Sequence, residues 1–373
     1  MIDVTPRSDP NDANMKIHYL VTSLETGGAE FAIPDIARTL QRLGHQVKIT
    51  ACEPRDRVAA TRLDEAGLPY EILCRRRRSW PSTLAAFLVR ILADKPDVIW
   101  TSLSWATRIG QLAGLITHIP VVSFKHSASV RRYTYRMKDM SRLWIADSHT
   151  VVTFLHEKVH IPAAQVLAWP LFRCNPEAPE AACWDGQSTL QLGSVGRLHE
   201  VKNYAPLLEA LAAFLERHPA LASRIHLTIL GDGPLRAELE STIDRLGLKE
   251  TVSLPGFSAE VAAFLAGLHV YVQPSRYEGM CIAAHEAMNA GLPILATPVG
   301  ELKNCVIDGQ TGFILEGDLS SALGSALERI FAQPALLQQY GRAARNDILE
   351  KFRDEAYTRA AATILDRISG LKR

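Results

Sequence analysis

From Lys16 onward, short apolar runs alternate with longer amphipathic stretches. The runs Lys16–Val21, Val47–Ala51, Tyr70–Leu73, Val98–Thr101, Val121–Phe124 and Leu143–Ala146 predict strands. Between them, helical spacing of apolar residues predicts helices over Gly28–Leu43, Val58–Ala66 and Thr83–Ala93, and Ser148 suits a helix N-cap. The pattern lapses between Pro170 and Ser188, where Pro170, Pro176, Pro179 and Gly186 fall without periodicity, which predicts a linker. It then restarts with strands at Leu190–Val195, His226–Leu230, Val252–Leu254, Val270–Gln273 and Pro293–Ala296, and helices at Tyr204–Arg217 and Pro234–Leu246. Three helical stretches, Ser320–Phe331, Ala335–Phe352 and Glu355–Leu371, close the chain. Short strands alternating with helices predict parallel sheets covered on both faces. The expected architecture is α/β, with two Rossmann-like parallel-sheet domains facing a central cleft and ligands beyond the carboxyl ends of the strands. Its boundaries are a tail at 1–14, a first domain at 15–175, a second at 188–350 and a closing segment at 351–373.

Length agrees, since 373 residues exceed one ordinary core. The formal net charge of +1 points to no polyanionic partner, so any basic function must be local. Six cysteines form no Cys-x-x-Cys pair, and no histidine cluster has metal-ligand spacing, which predicts idle thiols in a reducing compartment. No apolar run reaches the ~18 residues of a membrane span. Residues 1–14 lack the apolar segment of a signal peptide, so the expected location is cytoplasmic.

The most informative stretch is Tyr271–Thr297. A strand ends near Gln273, a turn with Pro274 and Ser275 leads to Glu278-Gly279, and a helix is expected from about Met280 to Ala290. Gly291 suits a left-handed C-cap, and Pro293 blocks continuation. The helix start offers free N–H groups of Gly279, Met280 and Cys281 to an anion such as a diphosphate. The carboxylates Glu278 and Glu286 would repel phosphates, but they can accept from sugar and ribose hydroxyls. This stretch, with two glutamates separated by seven residues, resembles the signature of retaining glycosyltransferases of family 4, which have the GT-B fold. The resemblance implies that Glu286 binds the donor ribose, while Glu278 and the amides after it hold the sugar and diphosphate.

Other segments fit the same family. Gly193–Asn203 carries Arg197 and Lys202 in the loop after a strand. Fixed cations there can meet the charge on a leaving nucleoside diphosphate, and no Asp-x-Asp metal motif occurs in the chain. The resemblance assigns both residues to the diphosphate and implies a metal-independent reaction with no cofactor. Gly231-Asp232-Gly233 reads equally well as a plain strand-to-helix turn. Pro255-Gly256-Phe257 resembles the family's segment near the nucleotide base. The loop with Gly27 and Gly28 is implied to approach the donor phosphates and acceptor, and His126 to face the transferred sugar. Asp147-Ser148 reads better as an N-cap. The segment Trp169–Pro176 departs from the Asn-Gly pair many relatives carry near the domain junction. By resemblance, the final helix crosses back onto the first domain.

Two basic runs remain, Arg75-Arg76-Arg77-Arg78-Ser79-Trp80 and Arg131-Arg132-Tyr133-Thr134-Tyr135-Arg136-Met137-Lys138. A basic, aromatic helix can lie on an anionic lipid surface. That suits a lipid-linked glycan acceptor and a peripheral position on the inner face of the cell membrane, in surface polysaccharide or glycolipid synthesis. A solvated face is the plain alternative, and no motif supports nucleic acid. The expected activity is retaining transfer of a hexose from a UDP- or GDP-sugar to a glycan. The alternatives are a glycosidase using the carboxylate pair, a sugar-nucleotide epimerase of the same fold, and a binding scaffold without turnover.

Overall fold

The structure, a computed structural model, describes residues 14–76, 78–129 and 132–370. The chain forms two compact units. Unit 1 takes the described residues up to Ala146, then Val152–Trp169 and those from Thr358. Unit 2 takes Asp147–Val151 and Pro170–Tyr357.

Among the described residues, seven strands build unit 1: β1 (Lys16–Val21), β2 (Gln46–Ala51), β3 (Tyr70–Ile72), β4 (Val98–Ser102), β5 (Val121–Lys125), β6 (Leu143–Ala146) and β7 (Val166–Ala168). All pairings are parallel, in the order β3-β2-β1-β4-β5-β6-β7. Strands β4, β5 and β6 are buried throughout, which is why apolar residues dominate them without strict alternation, with Thr101, Ser102, Ser123 and Lys125 as polar exceptions. Helices Trp80–Asp94 and Ser104–Thr117 pack against each other beside this sheet.

Unit 2 repeats the plan with β8 (Leu190–Val195), β9 (Ile225–Leu230), β10 (Val252–Gly256), β11 (Val270–Gln273), β12 (Ile294–Ala296) and β13 (Gly312–Ile314). Its order is β10-β9-β8-β11-β12-β13, again parallel. In both sheets the order reverses beside the first strand, between β1 and β4 and between β8 and β11. Such a switch point opens a crevice at the carboxyl ends of the strands.

Several expected elements change. The helix expected over Gly28–Leu43 is two helices, Gly28–Phe31 and Ile33–Arg42. Pro34 explains the break, since it has no N–H to continue the ladder. The helix expected from Pro234 starts at Arg236. Helix Ser104–Thr117, β7 and β13 were not expected. The helix contains Gly110 and Gly114, which weaken its propensity signal, and both strands are only three residues long. The Pro170–Ser188 stretch forms no helix or strand.

Candidate functional site

In unit 2 the loops after β8 and β11 meet because those strands are neighbours at the switch point. The first loop carries Arg197 and ends in a turn of 3-10 helix, Glu200–Lys202. The second carries Pro274 to Cys281. Lys202 Nζ lies 2.7 Å from Glu278 Oε1. The same oxygen accepts from Ser275 Oγ at 2.6 Å and from Gln273 Nε2 at 3.3 Å. Gln273 is fixed in turn by Tyr271, whose hydroxyl donates to Gln273 Oε1 at 2.8 Å. Burial opposes the Lys202 ammonium, yet the Glu278 carboxylate outweighs it and holds Lys202 above the ordinary lysine range. Lys202 is therefore a cation at any working pH. Glu278 Oε1 is saturated, whereas its Oε2 meets no donor among the described residues.

The two loops are tied together. Arg276 donates its backbone N–H to Val201 O at 2.8 Å and its Nε to Asn203 Oδ1 at 2.9 Å. Thr297 Oγ1 donates to Ser275 O at 2.6 Å. Gly300 lies with φ +56°, where a Cβ would fall 2.5 Å from Glu278 O. Gly231, at φ +144°, is closer still, since a Cβ there would fall 2.1 Å from Gly196 O. The Gly231-Asp232-Gly233 turn thus braces the Arg197 loop, and Leu198 N donates to Asp232 O at 3.0 Å. Arg197 itself is exposed and has no partner among the described residues.

The expected helix start moves. The helix runs Ile282–Asn289, and Cys281 caps it in the left-handed region at φ +56°. Gly279, Met280 and Cys281 therefore precede the helix, and their N–H groups meet no acceptor among the described residues. Burial, with Glu278 adding to it, pushes the Cys281 thiol well above its ordinary range, so it stays protonated. Glu286 is half-buried and lines a pocket with Phe172, Arg173, Asn175, Val261, Leu265 and Asn289. The junction segment that departs from the family pattern is thus one wall of the Glu286 pocket. Asn289 clamps it, accepting from Asn175 N at 3.1 Å and donating to Asn175 O at 2.8 Å. Gly256 ends β10 and accepts from Gly231 N at 2.8 Å, and Phe257 beyond it is half exposed.

In unit 1, Gly27 and Gly28 follow β1 and open the short helix Gly28–Phe31. His126 follows β5 and meets the Phe124 ring in a tilted contact with centroids 4.4 Å apart, beside a buried cluster that includes Trp100 and Trp169. Ser102 Oγ joins His126 Nε2 at 3.0 Å to the Tyr19 hydroxyl at 2.8 Å. Burial, reinforced by Lys125, pushes His126 down to about 3, so it is neutral at working pH. An unfolded chain would protonate it near 6.5, so folding stability falls as pH drops toward 3. His126→Gln is expected to remove about 2 kcal/mol of the stability lost between pH 7 and 5. Urea midpoints of both proteins at the two pH values check this, and equal losses would contradict it. In the two basic and aromatic runs, Arg75, Arg76, Arg78, Arg132, Tyr135 and Arg136 are exposed, while Arg77, Arg131 and the side chain of Tyr133 lie outside the described residues.

Family comparisons match both halves of the chain. The description "Glycosyltransferase Family 4" fits residues 26–172, and "Glycosyl transferases group 1" fits residues 187–347. The chain belongs to glycosyltransferase family 4. The D-inositol 3-phosphate glycosyltransferase of Corynebacterium diphtheriae is 26% identical over 86% of this chain and 85% of its own. The Vi polysaccharide biosynthesis protein VipC/TviE of Salmonella typhi is 35% identical over 34% of this chain. The match covers only 21% of that protein, and 34% of a D-inositol 3-phosphate glycosyltransferase of Streptomyces avermitilis. The crystal structure of Anabaena Alr3699/HepE in complex with UDP and glucose superposes with a TM-score of 0.82 at 21% identity, over 95% of this chain and all of that one. Sucrose-phosphate synthase from Thermosynechococcus elongatus gives 0.77 at 19%, over 96% of this chain and all of that one. These likenesses show the fold: two Rossmann-like units of the GT-B kind.

For a family 4 chain, the unit 2 geometry alters one expectation. Lys202 is not a bare cation but the partner of Glu278. Tyr271, Gln273, Thr297 and Gly300, which hold Glu278 in place, escaped sequence reasoning. The spacing of Gln273 and Ser275 ahead of Glu278 was the available signal for two of the donors.

Proposed function

We propose that this chain transfers a hexose, with retained anomeric configuration and no metal ion, from a nucleotide-diphosphate sugar to a glycan acceptor. The observation that carries the reading is the Lys202–Glu278 pair beside three open amides and the exposed Arg197. The amides and the two cations suit a diphosphate, and the unsaturated Glu278 Oε2 suits a sugar hydroxyl. Glu286, in its pocket, suits the ribose. As the bond from the anomeric carbon to the diphosphate oxygen breaks, its electron pair stays on that oxygen, which Arg197 and Lys202 stabilise. The acceptor oxygen bonds to the anomeric carbon from the same face, and its proton passes to the departing phosphate oxygen. Gly27, Gly28 and neutral His126 serve the sugar and acceptor side.

A uridine nucleotide is the donor to test first, because the HepE structure holds UDP and glucose. The name of the Salmonella relative, a Vi polysaccharide biosynthesis protein, supports a polysaccharide product. The acceptor is then lipid-linked where the basic runs contact a membrane on its cytoplasmic face. Thermal unfolding with UDP, GDP and UDP-glucose tests the donor. UDP at a hundredfold excess over its Kd should stabilise by about 2.7 kcal/mol. Arg197→Ala should shrink that shift, and no shift with any nucleotide or sugar nucleotide would sink the donor reading.

A further inference from the structure

We propose that unit 1 docks on an anionic lipid bilayer through the outer faces of helices Trp80–Asp94 and Ser104–Thr117. This deepens the lipid-linked reading above but uses none of its donor residues. Both helices connect parallel strands of one sheet, β3 to β4 and β4 to β5, so they run in the same direction and bring their last turns side by side. Those turns expose Leu92 by 62%, Leu115 by 59% and Ile116 by 56%, and Val89, one turn earlier in the first helix, is exposed by 61%. Pro81 and Ala85 are also exposed and continue the Val89–Leu92 stripe at helical spacing back to the exposed Trp80. A stripe with this spacing normally faces a core, whereas here it faces solvent.

Charge selects the occupant. Residues 72–138 hold nine arginines and three lysines against two acidic residues, Asp94 and Asp97, a balance of +10 in a chain whose net charge is +1. Both acids are already engaged. Asp94 pairs with Lys48 at 2.8 Å, and Asp97 accepts from Lys16 N at 2.8 Å. Exposed Arg75, Arg76 and Arg78 lead into the first helix, and helix Arg132–Arg136, with exposed Arg132 and Arg136, packs against the second. An apolar stripe framed by arginines on both flanks matches an interface of anionic headgroups over acyl chains. Two copies meeting through this face would set like charge against like. No described helix is long and apolar enough to cross a membrane, so the contact is interfacial.

The test is co-sedimentation of the full chain with vesicles of phosphatidylglycerol and phosphatidylcholine, or of phosphatidylcholine alone. Wild type should bind the anionic vesicles at least tenfold more tightly. Leu92→Glu/Ile116→Glu and, separately, Arg75→Gln/Arg76→Gln/Arg78→Gln should each weaken that binding at least tenfold. Circular dichroism melting confirms folding, with Leu92→Ser/Ile116→Ser as the gentler apolar variant. The UDP thermal shift should stay unchanged, and its loss in wild type would fail the donor reading alone. The docking surface is overturned if wild type ignores anionic vesicles, if the Leu92/Ile116 variants bind like wild type, or if that pair governs dimerisation instead of lipid binding.

Discussion

Lys202→Met is expected to lower glycosyl transfer by about two orders of magnitude, the usual cost of removing one fixed electrostatic partner of a developing charge. The ion pair makes this experiment more informative than a simple loss of activity. Removing the ammonium leaves Glu278 largely buried with a negative charge, which typically costs about 3–5 kcal/mol of stability. Ser275 and Gln273 still donate to that carboxylate, so the loss should fall at the lower end. The double variant Lys202→Met/Glu278→Met removes both charges and should regain much of the stability. It should not regain turnover, because the leaving diphosphate still lacks its cation. Turnover assays and denaturant midpoints on the three proteins separate the two roles. Wild-type turnover in Lys202→Met would remove that residue from the mechanism.

Gly231→Ala should have an effect of similar size although the residue carries no functional group. At φ +144° an L side chain is strained by about 1–3 kcal/mol. Its Cβ would also fall 2.1 Å from Gly196 O, an overlap that only a shift of the Arg197 loop can relieve. A displacement near 1 Å costs on the order of a hundredfold in rate where positioning matters. The expected result is a lower melting temperature together with a weaker UDP shift and slower transfer. Ordinary donor binding in a folded Gly231→Ala protein would show that the turn does not brace the loop.

The two substitutions show why some of the site was legible and some was not. Glu278, Glu286, Arg197 and Lys202 were readable because each sits at a fixed spacing within one short segment, beside a strand end and a glycine or proline. Gly231 was ambiguous because its need for glycine comes from a backbone thirty-five residues earlier in the chain, at Gly196. The helix start was placed too early because Cys281 adopts a left-handed conformation that side chains rarely take. The break at Ala32 was readable from Pro34, but the apolar spacing across it masked the proline.

The apolar faces of the two unit 1 helices show the limit of pattern reading. Their leucines and valines look like core residues in sequence, and only burial separates Phe87 and Ile91, inside, from Val89 and Leu92, outside.

By itself, the sequence determined the α/β class, the run of strands and helices, and the segment that holds the donor candidates. Periodicity and local turn chemistry are properties of neighbouring residues, so they survive in one dimension. The tertiary structure alone decided that Lys202 and Glu278 neutralise one another, since strands β8 and β11 become neighbours only when the sheet reverses its order. Strand order depends on how distant runs pair, and no local pattern records that choice.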